Sequence, residues 1–279
     1  MFPLTSVSVR GRWQPQRYGH GVYRFLLSSR WLRMLAGAIL ASTACVFLGI
    51  WQLHRFEHKH AGNDLITHNL AVAPVPPSRL LHVGHGLDPA DQWRRVRVTG
   101  RYDAAHQLLV RNRPVDGEYG YLVLTPLVQE RGPALLVDRG FVPAGQTAAR
   151  PDRMPVAPTG PVTVVARLRV SEAPAGGAAP PRGQVTRIDV PAIATTLPYP
   201  TYGGFAELVH QSPAPPRALI SIPAPELSDG PHLAYMVQWW LFAFAPPVGF
   251  VVLARREAAD RRIRARLPAQ VPASRSAAL

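Results

Sequence analysis

The sequence predicts two transmembrane α-helices that flank a mainly antiparallel β domain of the α+β class, placed outside the cytoplasm. Two apolar runs of 21 residues are long enough to cross a bilayer. Short runs of alternating side chains lie between them, and basic residues collect outside them. The predicted order is a cytoplasmic tail (1–30), a membrane helix (31–51), an extracytoplasmic domain (52–232), a second membrane helix (233–253) and a cytoplasmic tail (254–279).

Most of the net charge of +14 lies near the two ends of the chain. Residues 1–51 carry six Arg and no acidic residue, and residues 233–279 carry seven Arg and two acidic residues. The stretch between them holds 18 basic and 15 acidic residues. A nucleic-acid-binding domain would instead cluster its basic side chains with aromatic residues on one surface. The charge pattern therefore predicts no nucleic acid partner and favours a membrane protein.

The first membrane helix is predicted from Trp31 to Trp51, with Arg33 as its only charged residue. At 1.5 Å per residue this run spans about 31 Å, close to the thickness of the hydrocarbon core. A cleaved signal peptide is the competing interpretation, although the run exceeds the ~7–15 residues of a signal-peptide core. We expect residues 52–70 to continue the helix beyond the membrane. Small residues at every fourth position would let another helix approach closely; they are Gly37, Ala41, Cys45 and Gly49.

The second membrane helix is predicted from Leu233 to Leu253, an uncharged run with aromatic residues near one end, where membrane interfaces favour them. Pro246 and Pro247 remove two backbone donors, which frees the carbonyls of Phe242 and Ala243 and predicts a kink. Arginines outside both helices predict that both termini are cytoplasmic. They are Arg10, Arg12, Arg17, Arg24 and Arg30 before the first helix, and Arg255, Arg256, Arg261 and Arg262 after the second.

Between the helices, short runs with the two-residue period of strands predict the β domain. They are Trp93–Thr99, Gln107–Arg111, Tyr121–Val128, Ala134–Arg139, Pro161–Val170 and Arg217–Ile222. Turn sequences such as Asp116-Gly117 separate them at hairpin spacing, which favours antiparallel pairing. Asp189–Leu197 predicts one short helix with Asp189 as its N-cap. The Pro-rich stretch 211–231 predicts an extended return to the bilayer.

Motifs of catalysis are absent from the sequence, and we predict that the chain is not an enzyme. It contains no G-x-S-x-G, P-loop, G-x-G-x-x-G before a helix, or H-E-x-x-H. Its single cysteine, Cys45, excludes an internal disulfide and a thiolate metal cluster. His54 and His58 have metal-ligand spacing and His60 follows them, but no carboxylate stands at a suitable interval. Solvated histidines are the simpler interpretation.

Several short blocks, in a fixed order, resemble the signature blocks of the Surfeit-locus cytochrome c oxidase assembly family. The block leaving that family's first membrane helix is similar to residues 49–55 (GIWQLHR) with Lys59, and the block opening its second is similar to residues 232–239 (HLAYMVQW). Its middle blocks are similar to Gly100-Arg101-Tyr102, to Gly120 with Thr125-Pro126-Leu127, and to residues 136–143 (LVDRGFVP). This chain departs from the family pattern at Asp138 (usually Asn), Phe141 (usually Trp) and Gly230-Pro231 (often Asn before the His).

The resemblance implies a membrane assembly factor for a haem–copper oxidase of the cytochrome c type, which binds haem a and assists its insertion into the catalytic subunit. The implied partners are that subunit, haem a synthase and the lipid bilayer. The implied location is a bacterial plasma membrane, which the Arg-rich and Pro-rich composition also favours. The alternative is a membrane scaffold that stabilises oxidase subunit intermediates without binding haem.

Haem a is a large apolar ring with two carboxylates, so a carrier needs an aromatic wall, a neutral imidazole for iron and cations for the propionates. His232 at the start of the second helix is the predicted iron ligand, and Trp239 belongs to the predicted wall. Arg55 and Arg139 are the predicted propionate partners. A structural alternative stays open for each: an interfacial anchor for His232, a membrane-belt ring for Trp239, a headgroup contact for Arg55 and a strand end for Arg139.

Overall fold

The computed structural model describes residues 23–145, 151, 156–174, 176–177, 179–215 and 219–266. The chain divides into a helical unit, Met1–Glu57 with Gly230–Leu279, and a sheet unit, His58–Asp229. The described α-helices are α1 (Ser29–Ala71), α2 (Val190–Ala194) and α3 (His232–Arg266). The described strands are β1 (Arg95–Tyr102), β2 (Leu108–Val115), β3 (Glu118–Val128), β4 (Ala134–Pro143), β5 (Pro161–Arg169), β6 (Gln184–Val185) and β7 (Thr201–Ser212). The predicted arrangement of two long apolar helices flanking a mainly sheet domain is confirmed.

Both long helices contain the predicted apolar runs and extend beyond them. α1 has 43 residues and continues from Trp51 to Ala71, and α3 has 35 residues. Both are long enough and apolar enough to cross a bilayer. Large apolar side chains on both are exposed, among them Leu40, Phe47 and Phe244 at 72%, 66% and 67%. Arg10, Arg12 and Arg17 of the predicted first tail lie outside the described residues.

α1 and α3 pack against each other within the helical unit. Trp31, Ala254 and Ala258 are buried in one cluster with Phe25. The Trp31 ring meets Phe250 edge to face, with the ring centroids 5.5 Å apart. An aromatic ring from one helix set against alanines of the other gives the pair a close apolar contact.

A hydrogen bond joins the two helices beside the proline pair. α3 continues as a helix through Pro246 and Pro247. Because Pro247 has no N–H, the Ala243 carbonyl lacks its usual donor four residues later. The Ser42 hydroxyl of α1 donates to this carbonyl at 2.8 Å. A carbonyl freed by proline is thus satisfied from the neighbouring helix.

The predicted stripe of small residues contacts α3 at only part of its length. At Gly49 the helices are so close that a methyl group would overlap the Trp240 indole. A methyl group at Gly37 would meet no heavy atom within 4 Å, and Ala41 is exposed. The stripe therefore supports helix packing at Gly49 and stays uncovered at Gly37.

Five strands of the sheet unit close into a small barrel. The strand order is β1-β5-β7-β4-β3-β2-β6, and an additional β1–β3 pairing joins the two sides. Every pairing is antiparallel except β4–β7 and β2–β6, so the mainly antiparallel prediction is confirmed. One buried apolar cluster draws on all five barrel strands; its members include Val96, Val98, Leu127, Leu135, Val137, Val164 and Ala206.

Five of the six predicted strands are present, with ends shifted by a few residues. Asp116 and Gly117 join β2 to β3 with φ values of 49° and 84°, the positive values that a two-residue type I′ turn needs. The short helix is also confirmed, because the Asp189 side chain accepts from the Ala192 N–H at the start of α2. The strand predicted at Arg217–Ile222 is absent among its described residues, where Ile220 forms an isolated bridge to Phe141; residues 216–218 lie outside the description.

The last part of α1 belongs to the sheet unit and is held there by polar contacts. Asn69 is 3% exposed, and its Nδ2 donates to the carbonyls of Ala90 and Gln92 at 2.7 and 2.8 Å. Asn63 Nδ2 donates to Asp229 Oδ1 at 2.8 Å. Residues 221–229 form no helix or strand, as predicted for this part of the Pro-rich stretch, whereas Gln211 and Ser212 at its start belong to β7.

Asp138 on β4 is a buried carboxyl with one unpaired oxygen. It is 1% exposed, its Oδ1 accepts from the Gly140 N–H at 3.2 Å, and its Oδ2 has no partner within the described chain. Burial raises the pKa of this carboxyl well above its ordinary value, and nearby Glu207 raises it further. The Gly140 N–H and the charges of Arg113 and Arg167 oppose that rise without cancelling it. Asp138 therefore keeps its proton to higher pH than an ordinary aspartate does.

Candidate functional site

His232 is the first residue of α3, and its imidazole is held by α1. Its Nδ1 lies 2.9 Å from Oε1 of Gln52. Because an amide oxygen accepts hydrogen bonds, Nδ1 carries the proton and donates it. The neutral ring then keeps its lone pair on Nε2, the nitrogen left for a metal ligand bond.

The residues before His232 leave room beside the imidazole edge that carries Nε2. Gly230 has a φ of +67°, and a methyl group there would lie 3.3 and 3.4 Å from Cδ2 and Nε2 of His232. The Pro231 carbonyl accepts from the Tyr235 N–H and begins the helix. At Gly230-Pro231 this chain departs from the family pattern, and Gly230 has no side chain to crowd the His232 ring at the start of α3.

The side of α3 that carries His232 continues with apolar residues. Positions four and seven residues later lie on one helix face with it. Met236 there is 8% exposed, and Trp239 is partly buried. The Trp239 ring meets Phe242 edge to face at a centroid distance of 6.0 Å. One imidazole and one aromatic ring of the predicted site therefore share a helix face.

Arg55 lies on α1, three residues after Gln52. Its side chain is exposed, and its guanidinium carbon is 5.8 Å from the centroid of the Trp51 ring. This distance permits a cation–π contact. Arg55 forms no ion pair with any described residue, so its five N–H donors remain available to a carboxylate.

Arg139 belongs to the sheet unit, whereas His232, Arg55 and Trp239 belong to the helical unit. Arg139 is 5% exposed. Its Nη1 donates to Gln107 Oε1 at 3.1 Å, and its Nη2 donates to the Val156 carbonyl at 3.0 Å. The guanidinium stacks 5.0 Å from the Tyr102 ring centroid. Burial lowers the pKa of Arg139, an effect that Tyr102 opposes.

Other histidines of α1 are arranged differently from His232. His60 Nδ1 lies 3.3 Å from the Asp229 carboxylate, and His54 and His58 are exposed. Among the described residues, no group of three His, Cys, Asp or Glu side chains is placed to hold a metal ion.

Gln52 is the site residue that sequence reasoning did not assign. It stands in the block 49–55, but its role depends on which residues of α1 and α3 face each other. Gly49 and Gln52 are three residues apart and therefore share a face of α1. The close contact expected at Gly49 was the signal that pointed to this face.

Comparison with known proteins gives consistent results. The SURF1 family model matches residues 39–244, a range that includes both Gln52 and His232. An uncharacterised SURF1-like protein of Mycobacterium bovis is 35% identical over 244 residues, 85% of this chain and 88% of its own. Surfeit locus protein 1 of Arabidopsis thaliana is 26% identical over 287 residues, 82% of this chain and 79% of its own.

A shorter match of 99 residues, 28% identical, is found with the cytochrome oxidase assembly protein SHY1 of Saccharomyces cerevisiae. It covers 34% of this chain and 24% of the yeast protein. The family match, by contrast, takes in most of the chain, from within α1 to within α3. The chain therefore belongs to the SURF1 family.

Proposed function

We propose that this chain is a membrane assembly factor for a haem–copper oxidase of the cytochrome c type, and that it binds haem a and assists its insertion into the catalytic subunit. The assembly role is supported by family membership and by the yeast relative, which is named as a cytochrome oxidase assembly protein. α1 and α3 span a bacterial plasma membrane, with both termini cytoplasmic and the sheet unit outside. Haem a synthase is the expected donor of the haem.

The hydrogen bond between Gln52 and His232 is the observation that carries the haem proposal. Imidazoles that bind metals are commonly fixed by a hydrogen bond from their other ring nitrogen. Here Nδ1 is engaged at 2.9 Å, and Nε2 is the iron ligand. Met236 and Trp239 form the apolar wall beside it.

Cations for the propionates come from the helical unit in this proposal. Arg55 is exposed and forms no ion pair in the described chain, so it binds one carboxylate. Arg139 was the second predicted partner. Both of its Nη nitrogens already donate within the sheet unit, which makes Arg55 the stronger candidate.

The first experiment compares reduced-minus-oxidised visible spectra of membranes from cells with and without this chain, together with oxidase activity. The assembly role predicts an attenuated a-type signal and reduced activity without the chain, while the b- and c-type signals persist. An unchanged a-type spectrum with unchanged activity would contradict the proposal.

Haem binding is tested with the purified full chain. His232→Ala removes the ligand, so we expect the variant to enter the membrane normally but to lose co-purifying haem. His54→Ala is the matched control, because His54 is exposed on α1 and belongs to no proposed contact. Equal haem content in the His232→Ala variant and the wild-type chain would refute the ligand assignment.

A scaffold that binds oxidase subunits without haem is the second candidate. It is favoured by the uncovered half of the small-residue stripe, where Gly37 has open space and Ala41 is exposed. Ala41→Leu would then weaken co-purification with the catalytic subunit and leave haem content unchanged. Ala36→Leu, an exposed position outside the stripe, serves as control. Normal recovery of the complex with Ala41→Leu would count against the scaffold.

A further inference from the structure

A cavity of about 770 Å³ lies in the sheet unit, beside α2 and the ends of β2 and β6. Its volume is in the range of small-molecule sites. The apolar part of its lining includes Leu108, Val185, Ile193 and Leu197, which also belong to or pack on a buried core cluster. None of these residues belongs to the haem site proposed above.

A fixed imidazole lines this cavity. His106 Nδ1 is 2.6 Å from Asp103 Oδ2, and the Tyr199 hydroxyl donates to the same oxygen at 2.6 Å. The Ala105 N–H donates to the other carboxylate oxygen at 3.0 Å. Burial alone would raise the pKa of Asp103, but the Tyr199 and His106 hydrogen bonds outweigh it, and the pKa is lowered.

Asp103 is therefore an ionised acceptor, and His106 donates to it from Nδ1. The other ring nitrogen, Nε2, has no hydrogen-bond partner in the described chain. The bond from Nδ1 orients the ring, and the Tyr199 and Ala105 donors hold the carboxylate that accepts it, so Nε2 remains for a ligand.

Two positively charged side chains also line the cavity. Arg182 and Arg187 are exposed there, and neither forms an ion pair with a described residue. The acidic residue in the lining is Asp189, whose carboxylate accepts from the Ala192 N–H at 3.2 Å as the cap of α2. The lining thus combines an apolar surface with two guanidinium groups suited to an anion.

We propose that this cavity binds an amphipathic anion, with its apolar body against Leu108, Ile193 and Leu197 and its carboxylate or phosphate on Arg182 and Arg187. His106 supplies Nε2 as a third polar contact. A small inorganic anion would leave the apolar lining uncovered, and an uncharged hydrocarbon would leave the guanidinium groups without a partner. This site goes beyond the proposed haem function and uses none of its residues.

The test uses the full chain in nanodiscs of phosphatidylcholine, which bears no net charge. The probe is a photoactivatable fatty acid of about ten carbons, and the matched alcohol is its uncharged control. After irradiation, trypsin releases Tyr102–Arg111, the peptide that contains His106 and Leu108. We expect the acid to label this peptide at least about fivefold more than the alcohol, which corresponds to about 1 kcal/mol of preference.

Variants locate the site. Arg182→Gln with Arg187→Gln should reduce labelling by the acid to the level of the alcohol, and Ala192→Phe, at the cavity lining, should remove labelling by both. Arg97→Gln is the control, because Arg97 is exposed on β1 away from this cavity. Circular dichroism checks that the variants fold. Equal labelling by acid and alcohol, or unchanged labelling in the double Arg variant, would overturn the proposal.

The anion has two sources to distinguish, a membrane lipid and a soluble carboxylic acid. A photoactivatable phosphatidic acid, used as a second probe, separates them. Labelling of Tyr102–Arg111 by both probes supports the site with a membrane lipid as its ligand, and labelling by the free acid alone supports it with a soluble carboxylic acid. Labelling by neither overturns the site. The test contains no haem, so its outcome is independent of His232.

Discussion

Gln52 accepts the Nδ1 proton of His232, and this hydrogen bond decides which ring nitrogen the imidazole offers. Gln52→Leu removes the acceptor and frees the ring to turn. We expect haem affinity to fall by about 10–100-fold, the usual effect of losing such a partner. A titration of the full chain with haem, followed by visible absorbance, measures the affinity.

Gln52→Glu keeps an acceptor at nearly the same volume and serves as the control for Gln52→Leu. It should retain most of the affinity, because a carboxylate also accepts from Nδ1. If Gln52→Leu and the wild-type chain bound haem equally, the orienting role of Gln52 would be wrong.

Asp138 predicts a pH effect with a definite sign. Its raised pKa means that the folded chain holds this proton more tightly than an unfolded chain, in which aspartate has a pKa of about 3.9. The stabilising contribution is complete below about pH 3.9 and is lost as pH rises through the folded pKa, at up to about 1.4 kcal/mol per pH unit.

Asp138→Asn removes this titration while its Oδ1 can still accept from the Gly140 N–H. The stability of the variant relative to the wild-type chain should therefore increase from pH 5 to pH 7. Hydrogen exchange of β4 in the full chain, measured at increasing urea concentrations, gives the unfolding midpoint of the sheet unit and so measures this stability difference. Glu130→Gln, at an exposed position, should give no such trend. A constant difference between the Asp138→Asn variant and wild type at both pH values would contradict the raised pKa of Asp138.

At the scale of elements, the bond from Ser42 to the Ala243 carbonyl depends on Pro247. Ser42→Ala should destabilise the helix pair by about 0.5–1.5 kcal/mol. In a Pro247→Ala background, residue 247 donates to Ala243 and the loss should be smaller. Unfolding in detergent mixtures measures this double-mutant cycle. Thr43→Ala, exposed on α1, is the control, and an unchanged Ser42→Ala effect in both backgrounds would rule out the coupling.

Two glycines of α1 offer a direct comparison of packed and open positions. Gly49→Leu must displace the Trp240 indole, whereas Gly37→Leu meets open space. We expect Gly49→Leu to cost about 1–3 kcal/mol and to lower the thermal midpoint of the detergent-solubilised chain, with little effect from Gly37→Leu. Equal midpoints for the two variants would mean that the helices do not pack at Gly49.

Most strands were predictable from sequence: β1 through its alternation, and β4 although eight consecutive residues of it are buried. β1 alternates between exposed Arg97 and Thr99 and buried Val96 and Val98, which gives a clear two-residue period. β7 lies between β4 and β5 and is buried at most positions. β7 was not predicted, and its Gly203-Gly204 pair is unfavourable in a strand interior. β6 has two residues, too few for any periodic signal.

The candidate site was predictable residue by residue but not in its contacts. The blocks indicated His232, Arg55 and Trp239, and these residues belong to one unit. Gln52 was missed as the partner of His232 because that contact depends on how α1 and α3 are rotated against each other. The internal hydrogen bonds of Arg139 were likewise invisible, because they are made with Gln107 and Val156 from other segments.

At the scale of the whole molecule, the proposed orientation in the membrane can be tested by labelling. In a Cys45→Ser background, Glu130→Cys places a thiol at an exposed position of the sheet unit, and Arg262→Cys places one at an exposed position near the end of α3. The proposed orientation predicts that a membrane-impermeant maleimide labels the first in intact spheroplasts and the second only after permeabilisation. The reverse pattern would place the sheet unit in the cytoplasm.

The barrel also has a consequence for biosynthesis. β7 is the last strand along the chain, yet it stands between β4 and β5. A ribosome that has made residues up to 200 has therefore produced two strand edges with nothing between them, and such edges invite pairing with other chains. The ring closes only when Thr201–Ser212 emerges, shortly before α3 begins at His232. Nascent chains of this protein thus stay vulnerable to aggregation until synthesis is well advanced, and any stop codon upstream of β7 yields a product with open strand edges.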